Sequence, residues 1–177
     1  MKQPFATLTN LIYVAVGIYW FSYAPVLGLA LIALGIGSGW YHGTGNEIGL
    51  MADRIGMYLV TSAFLGIILA KLIGPDIGYA MALAVFVGLG TGVQDLNSRH
   101  ALVVMALPLL VGLYAFVSLA AVGQVLGLIL LGLILRDIGD KRYGGPYSHD
   151  WRHNVLHGTW HLLTGTAFWL LARYLLV

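Results

Sequence analysis

The chain has no cysteine. Disulfides and thiolate metal sites are therefore excluded, and any bound metal must take His, Asp, Glu or water as ligands. Charge is also scarce. Asp, Glu, Lys and Arg together make up 9% of the chain, against about 25% in an ordinary soluble domain. That shortage excludes a soluble globular domain of this length. The formal net charge of +2 is small and scattered, and so gives no case for nucleic acid as a partner. The first residues carry a single Lys and no small-residue cleavage site, so the first apolar stretch reads as a retained span rather than a signal peptide.

What the chain does have is long apolar runs, with 59% hydrophobic residues. A helical crossing needs about 20 of them in succession. Seven stretches qualify, at roughly Phe5–Tyr23, Val26–Gly43, Leu50–Ile73, Ile77–Gly92, His100–Ala121, Gly123–Leu135 and Trp151–Leu176. They are continuous rather than alternating, which points to helices and not a barrel. The expected fold is an all-α integral membrane protein, a seven-transmembrane helix bundle forming one domain over residues 1–177. Turn chemistry marks the breaks at Ala24-Pro25, Gly43-Thr-Gly-Asn46, Gly74-Pro75-Asp76 and the polar run 94–100. The boundary between spans five and six rests on Ala121-Val-Gly-Gln124 alone. One long bent helix there would reduce the count to six. Pro108 is expected to kink span five, Arg136–Asp150 reads as the longest polar loop, and Glu47 as a solvated loop residue.

Lys2, Arg54, Arg99, Arg136, Lys141, Arg142 and Arg152 fall at the N-terminal side, against Lys71 and Arg173 opposite. The positive-inside rule then places the N-terminus in the cytoplasm.

Against this apolar background the seventh span carries His157 and His161, an i, i+4 pair on one helix face. Ionisable and metal-binding groups at membrane depth are expensive, so they mark function. Span two ends with Ser38-Gly-Trp-Tyr-His42 and span three begins with Asp53-Arg54. All these groups lie within about 15 Å of the same membrane surface at 1.5 Å per helical residue. Three helices meeting there can supply His42, His157 and His161 to one ion. Three neutral imidazoles and a water make an open tetrahedral zinc centre of the catalytic type. Ser38 is one turn before His42, and Gly35, Gly37 and Gly39 around it allow close helix approach. His100 and His149 read as interfacial side chains, and His153 as an outer or interfacial group. Asp53 with Arg54 can also be a simple ion pair at a helix start. Trp40, Trp151 and Trp160 suit an aromatic belt.

Ser38-x-x-x-His42, Asp53 eleven residues beyond that histidine, and His157-x-x-x-His161 near the end resemble the signature of the alkaline ceramidases. These belong to the CREST superfamily of membrane metallohydrolases, together with the adiponectin receptors and haemolysin III proteins. The resemblance extends to Thr9-Asn10, to Trp160-His-Leu-Leu-Thr-Gly165, and to motif placement in spans two, three and seven. It implies that His42, His157 and His161 bind Zn²⁺, and that Ser38 and Asp53 contact the activated water or the substrate. The implied activity is hydrolysis of the amide bond of a ceramide or other N-acyl lipid by a zinc-activated water. The chain is shorter than the eukaryotic enzymes, which implies a prokaryotic, inner-membrane member. It starts Met1-Lys-Gln-Pro-Phe-Ala6, without the acidic, Trp-containing segment that binds calcium in animal ceramidases. No calcium site is therefore expected. Ceramidases are thought to be oriented opposite to the charge count, which matches the adiponectin receptors instead.

Two other classes remain open. A non-catalytic or receptor-like seven-helix protein could use zinc as a structural staple, and a haem protein could use paired histidines. A retinal protein is disfavoured, because Lys2, Lys71 and Lys141 all lie outside span seven. No discontinuous repeats support a transporter. The oligomeric state is not legible.

Overall fold

A computed structural model describes residues 2–92, 116–144 and 148–177. The described residues form α1 (Pro4–Thr9), α2 (Leu11–Phe21), α3 (Pro25–Thr44), α4 (Glu47–Ile73), α5 (Pro75–Gly92), α6 (Leu119–Tyr143) and α7 (Trp151–Leu176), with no strand among them. Pro4–Phe21, Pro25–Thr44, Glu47–Ile73 and Leu119–Tyr143 are long and apolar enough to cross a membrane, and Pro75–Gly88 is a shorter apolar helix. Helix α7 has 26 residues, about 39 Å at 1.5 Å per residue, but its histidines and other polar groups lower its hydropathy. The molecule is a membrane-embedded helical bundle.

Several boundaries differ from the sequence reading. The described residues contain six helical segments, counting α1 and α2 as one, so the expected count of seven is not reached among them. The expected span at 100–121, with Pro108 and His100, lies mostly outside the described residues. The break placed at Ala121–Gln124 is inside α6, which starts earlier, with the Ser118 hydroxyl accepting from the Ala121 N–H at 3.3 Å. At its other end α6 runs on through Arg136 to Tyr143, where a loop was expected. Charge there sits on helix, not loop: Arg136 faces Asp140, both half-buried, and Lys141 faces Asp137, both at i, i+4 spacing, at 3.8 and 2.6 Å. Glu47 opens α4 rather than lying in a loop.

The helix ends follow local chemistry. Pro4 and Pro25 sit at helix starts, where the missing N–H costs nothing. Gly45, at φ +64, ends α3 in the left-handed region that a side chain would strain. Asn46 then caps α4, its Oδ1 accepting from the Gly49 N–H at 2.7 Å. A reversal this tight brings the end of α3 against the start of α4.

Helix α3 packs between α2 and α4, α6 packs on α7, and α1 wedges against both α3 and α7. Gly35 and Gly37, about 200° apart on α3 at 100° per residue, serve its two neighbours. A Cβ on Gly35 would meet Val14 and the Asn10 carbonyl of the first span. One on Gly37 would lie 2.7 Å from the Ala52 carbonyl group and 3.0 Å from the Asp53 nitrogen. That contact sets Ser38 beside Asp53. Gly37→Ala is expected to destabilise the folded protein by about 1–3 kcal/mol through overpacking. Gly39→Ala, whose new methyl finds only ordinary contacts at 3.8 Å, should be neutral or slightly stabilising. Thermal unfolding of the two variants in detergent checks the difference.

Trp20, Leu27, Leu31, Phe64, Ile68, Leu171 and Leu175 form a fully buried apolar core. They come from the end of α2, the start of α3 and the ends of α4 and α7. The opposite end of the same bundle is where the polar groups meet.

Candidate metal centre

His42 in the last turn of α3 and His157 and His161 in the first half of α7 are all buried. Each offers a ring nitrogen, and the three nitrogens lie within 4.8 Å of one another. Ring centroids are 4.6 Å apart for His42–His157 and 4.9 Å for both His42–His161 and His157–His161. The three imidazoles expected to meet are therefore together.

Two of the rings are oriented by the start of the chain. The Lys2 and Gln3 N–H groups donate to the Gly43 and His42 carbonyls, both at 3.1 Å. These carbonyls have no partner inside α3, because they sit in its last turn. The pairing anchors residues 2 and 3 over the histidines. Gln3 Oε1 then accepts from His42 Nδ1 at 2.6 Å. His161 Nδ1 lies 3.1 Å from the Ala6 carbonyl and 3.2 Å from the Thr9 hydroxyl. An Nδ1–H held by a carbonyl leaves Nε2 as the metal-facing lone pair.

The Ala6 carbonyl is free for this because the first span is broken at Asn10. In a continuous helix that carbonyl would accept the Asn10 N–H. Here the Asn10 N–H turns to Leu8. The Ala6 carbonyl instead takes the Asn10 side chain at 2.7 Å, the Thr9 hydroxyl at 3.0 Å and His161. Irregular backbone at membrane depth persists only where other groups satisfy it.

His157 is different: its Nδ1 is buried without a hydrogen-bond partner. Its neighbour along α7, His153, is fully buried rather than interfacial. His153 Nε2 bonds Asp140 Oδ1 at 2.9 Å, and its Nδ1 is 3.5 Å from the Gln3 amide nitrogen. Asp140, His153 and His157 also come close enough to form a second possible cation group, sharing His157 with the first. His149 is exposed, as expected for an interfacial side chain. Trp160 leaves the aromatic belt: it is buried against Gly132, with the Arg136 guanidinium 6.0 Å from its ring. Trp40 and Trp151 are exposed.

Ser38 is buried, and its hydroxyl hydrogen-bonds the Asp53 carboxyl. The Asp53–Arg54 pair is thus joined by a second partner on another helix, Ser38 of α3. Asp53 also feels the positive charge of Arg136 and acts on Tyr13. Tyr13 stands edge-on to His161 at 6.0 Å and shares a hydrogen bond of 2.5 Å with Thr164. The field of Arg136 reaches His42, His157 and His161 as well.

The chain matches no known protein family, characterised protein or solved structure. The site stands on its own chemistry. Gln3, Tyr13, Arg136 and Asp140 belong to it although the sequence alone does not point to them. Asp140 and Arg136 read as loop residues in the sequence, and nothing in the spacing of residues 3 and 42 links them. Polar residues at the charged end of an apolar chain were the one available signal.

At the start of α7, Asp150 accepts from the Arg152 N–H at 2.8 Å. The Arg152 guanidinium beside it holds its carboxyl below the usual range. This cap fixes where α7 begins, and so the depth of the histidines that follow.

Proposed function

We propose that the protein is an intramembrane zinc-dependent hydrolase of the alkaline-ceramidase kind, cleaving the amide bond of a ceramide or another N-acyl lipid. The observation that carries this reading is the convergence of His42, His157 and His161, from two helices far apart in sequence, on one buried point. The donor set fits zinc. Three neutral imidazoles are a common catalytic zinc set, and all-nitrogen ligation favours zinc among the abundant divalent ions. A buried imidazole with an unpartnered nitrogen, as in His157, is costly, and an ion gives that ring a partner.

Bound there, the ion would supply Lewis-acid polarisation and would lower the pKa of water toward neutrality. The chain's own residues would do the rest. Gln3 and the Ala6 carbonyl hold the His42 and His161 rings in place. The Asp53 carboxylate, next to Ser38, accepts the proton of the attacking water and delivers it to the departing amine nitrogen. Ser38 donates a hydrogen bond to negative charge developing on the carbonyl oxygen. The low-dielectric bundle strengthens each of these interactions. The exposed apolar faces of the helices give an acyl chain a lateral route from the bilayer.

On the charge count the site faces the cytoplasm. The deciding experiment is elemental analysis of purified protein, with mass spectrometry of lipid extracts before and after incubation. About one zinc per chain and release of free fatty acid from an N-acyl lipid are expected. Zinc without any product across the extracts would move the reading to a structural, receptor-like zinc protein. No zinc would end both.

A further inference from the structure

The N-terminal residues contain a hydrogen-bond chain whose direction can be read atom by atom. Three groups that bear on the metal centre lie within reach of the Gln3 side chain. Its Nε2 is 3.4 Å from the Ser148 carbonyl and 3.5 Å from His153 Nδ1, and its Oε1 is 2.6 Å from His42 Nδ1. A carbonyl only accepts. The amide must therefore turn its NH₂ toward Ser148, which places Oε1 against His42.

The remaining protons follow. Nε2–H of Gln3 donates to His153 Nδ1, so that nitrogen is the acceptor and the ring proton sits on Nε2. That nitrogen lies 2.9 Å from Asp140 Oδ1, and a carboxylate oxygen accepts its proton. Both ends of the chain thus demand the same polarity. Gln3 Oε1 can only accept, so His42 must carry its proton on Nδ1. His42 Nε2 is then a lone pair, the form a metal requires.

We infer that Gln3 is a positioning residue for the metal centre, setting the tautomer of His42 and tying it to the His153–Asp140 pair. This rests on the metal-site reading above for its consequence, though not for its geometry. It also accounts for the Asp140, His153 and His157 group. Both His153 nitrogens are engaged in hydrogen bonds, so that group supports the first site rather than forming a second one. Outer partners that hold a ligand's ring typically contribute 10–100-fold in metal affinity.

The test compares Gln3→Met with Gln3→Glu. Met keeps the length of the side chain and removes the acceptor. Glu keeps the acceptor at the same reach. Zinc affinity is measured by competition with a chromogenic chelator. The His42 tautomer is read in the metal-free protein by ¹⁵N NMR of labelled histidine. Wild type should show His42 protonated at Nδ1. Gln3→Met should lose that single form and bind zinc about 10–100-fold more weakly, while Gln3→Glu, which gives up only the donor toward Ser148 and His153, should keep the Nδ1 form of His42 and bind zinc more tightly than Gln3→Met. A merely structural Gln3 would weaken both variants alike or neither, and either result overturns the proposal. So does a wild-type His42 protonated at Nε2, or a second equivalent of tightly bound zinc lost on His153→Ala. If Gln3→Met does not fold, the His42 tautomer in wild type and in Gln3→Glu still decides. Failure of wild type to bind zinc would sink the hydrolase reading, yet leave the tautomer measurement to judge Gln3 by itself.

Discussion

His157→Ala is expected to lose zinc and activity together. Its ring lies 4.6 Å from His42 and 4.9 Å from His161. Without it, two imidazoles remain, and tight tetrahedral zinc sites in proteins use at least three protein ligands. The drop in zinc affinity should exceed the 10–100-fold typical of outer partners, and fatty-acid release should fall to background. The fold has little reason to follow. His157 Nδ1 makes no hydrogen bond, whereas Gln3 and the Ala6 carbonyl hold the other two rings independently. Metal-free wild type and variant should therefore melt at similar temperatures. Elemental analysis finding wild-type zinc in His157→Ala would overturn the assignment of the ligands.

Asp53→Asn should separate binding from chemistry. The substitution keeps shape and can still bond the Ser38 hydroxyl, which faces position 53 across the Gly37 contact. Asn cannot accept and return a proton. General acid–base catalysis contributes about 10²–10⁴-fold, so turnover should fall by that order while zinc content stays at the wild-type level. Zinc per chain and the rate of product release, measured on the same preparation, check this. Full turnover in Asp53→Asn would show that the proton carrier is another group. Loss of zinc would place Asp53 among the ligands instead.

The parts of the site that were legible share one property: their chemistry is costly where the chain puts it. His157 and His161 stand out because histidines four apart inside an apolar run have no cheap explanation. Ser38, His42 and Asp53 stand out because turns at 43–46 bring their helix ends to one depth. The outer partners had no such signature. Gln3 looks like an ordinary residue before the first span, and the role of Ala6 belongs to a backbone carbonyl. Arg136 and Asp140 were hidden for another reason. Charge usually marks a loop, but here α6 continues past the apolar stretch, with Arg136 facing Asp140 one turn on.

The same division holds for the fold. Composition alone determines a helical membrane protein, because unsatisfied backbone in lipid leaves helices as the solution for long apolar runs. Helical periodicity alone places His157 with His161. Bringing His42 to them depends on which helices are neighbours, and that is decided by contacts between residues far apart in sequence. Gly35 and Gly37 let α3 sit close to both α2 and α4, and α1 fills the angle between α3 and α7. The break at Asn10, the freed Ala6 carbonyl and the Gln3 bridge exist only in that packed state. Each satisfies a polar group that local sequence leaves unpaired, and no local pattern says which partner will come.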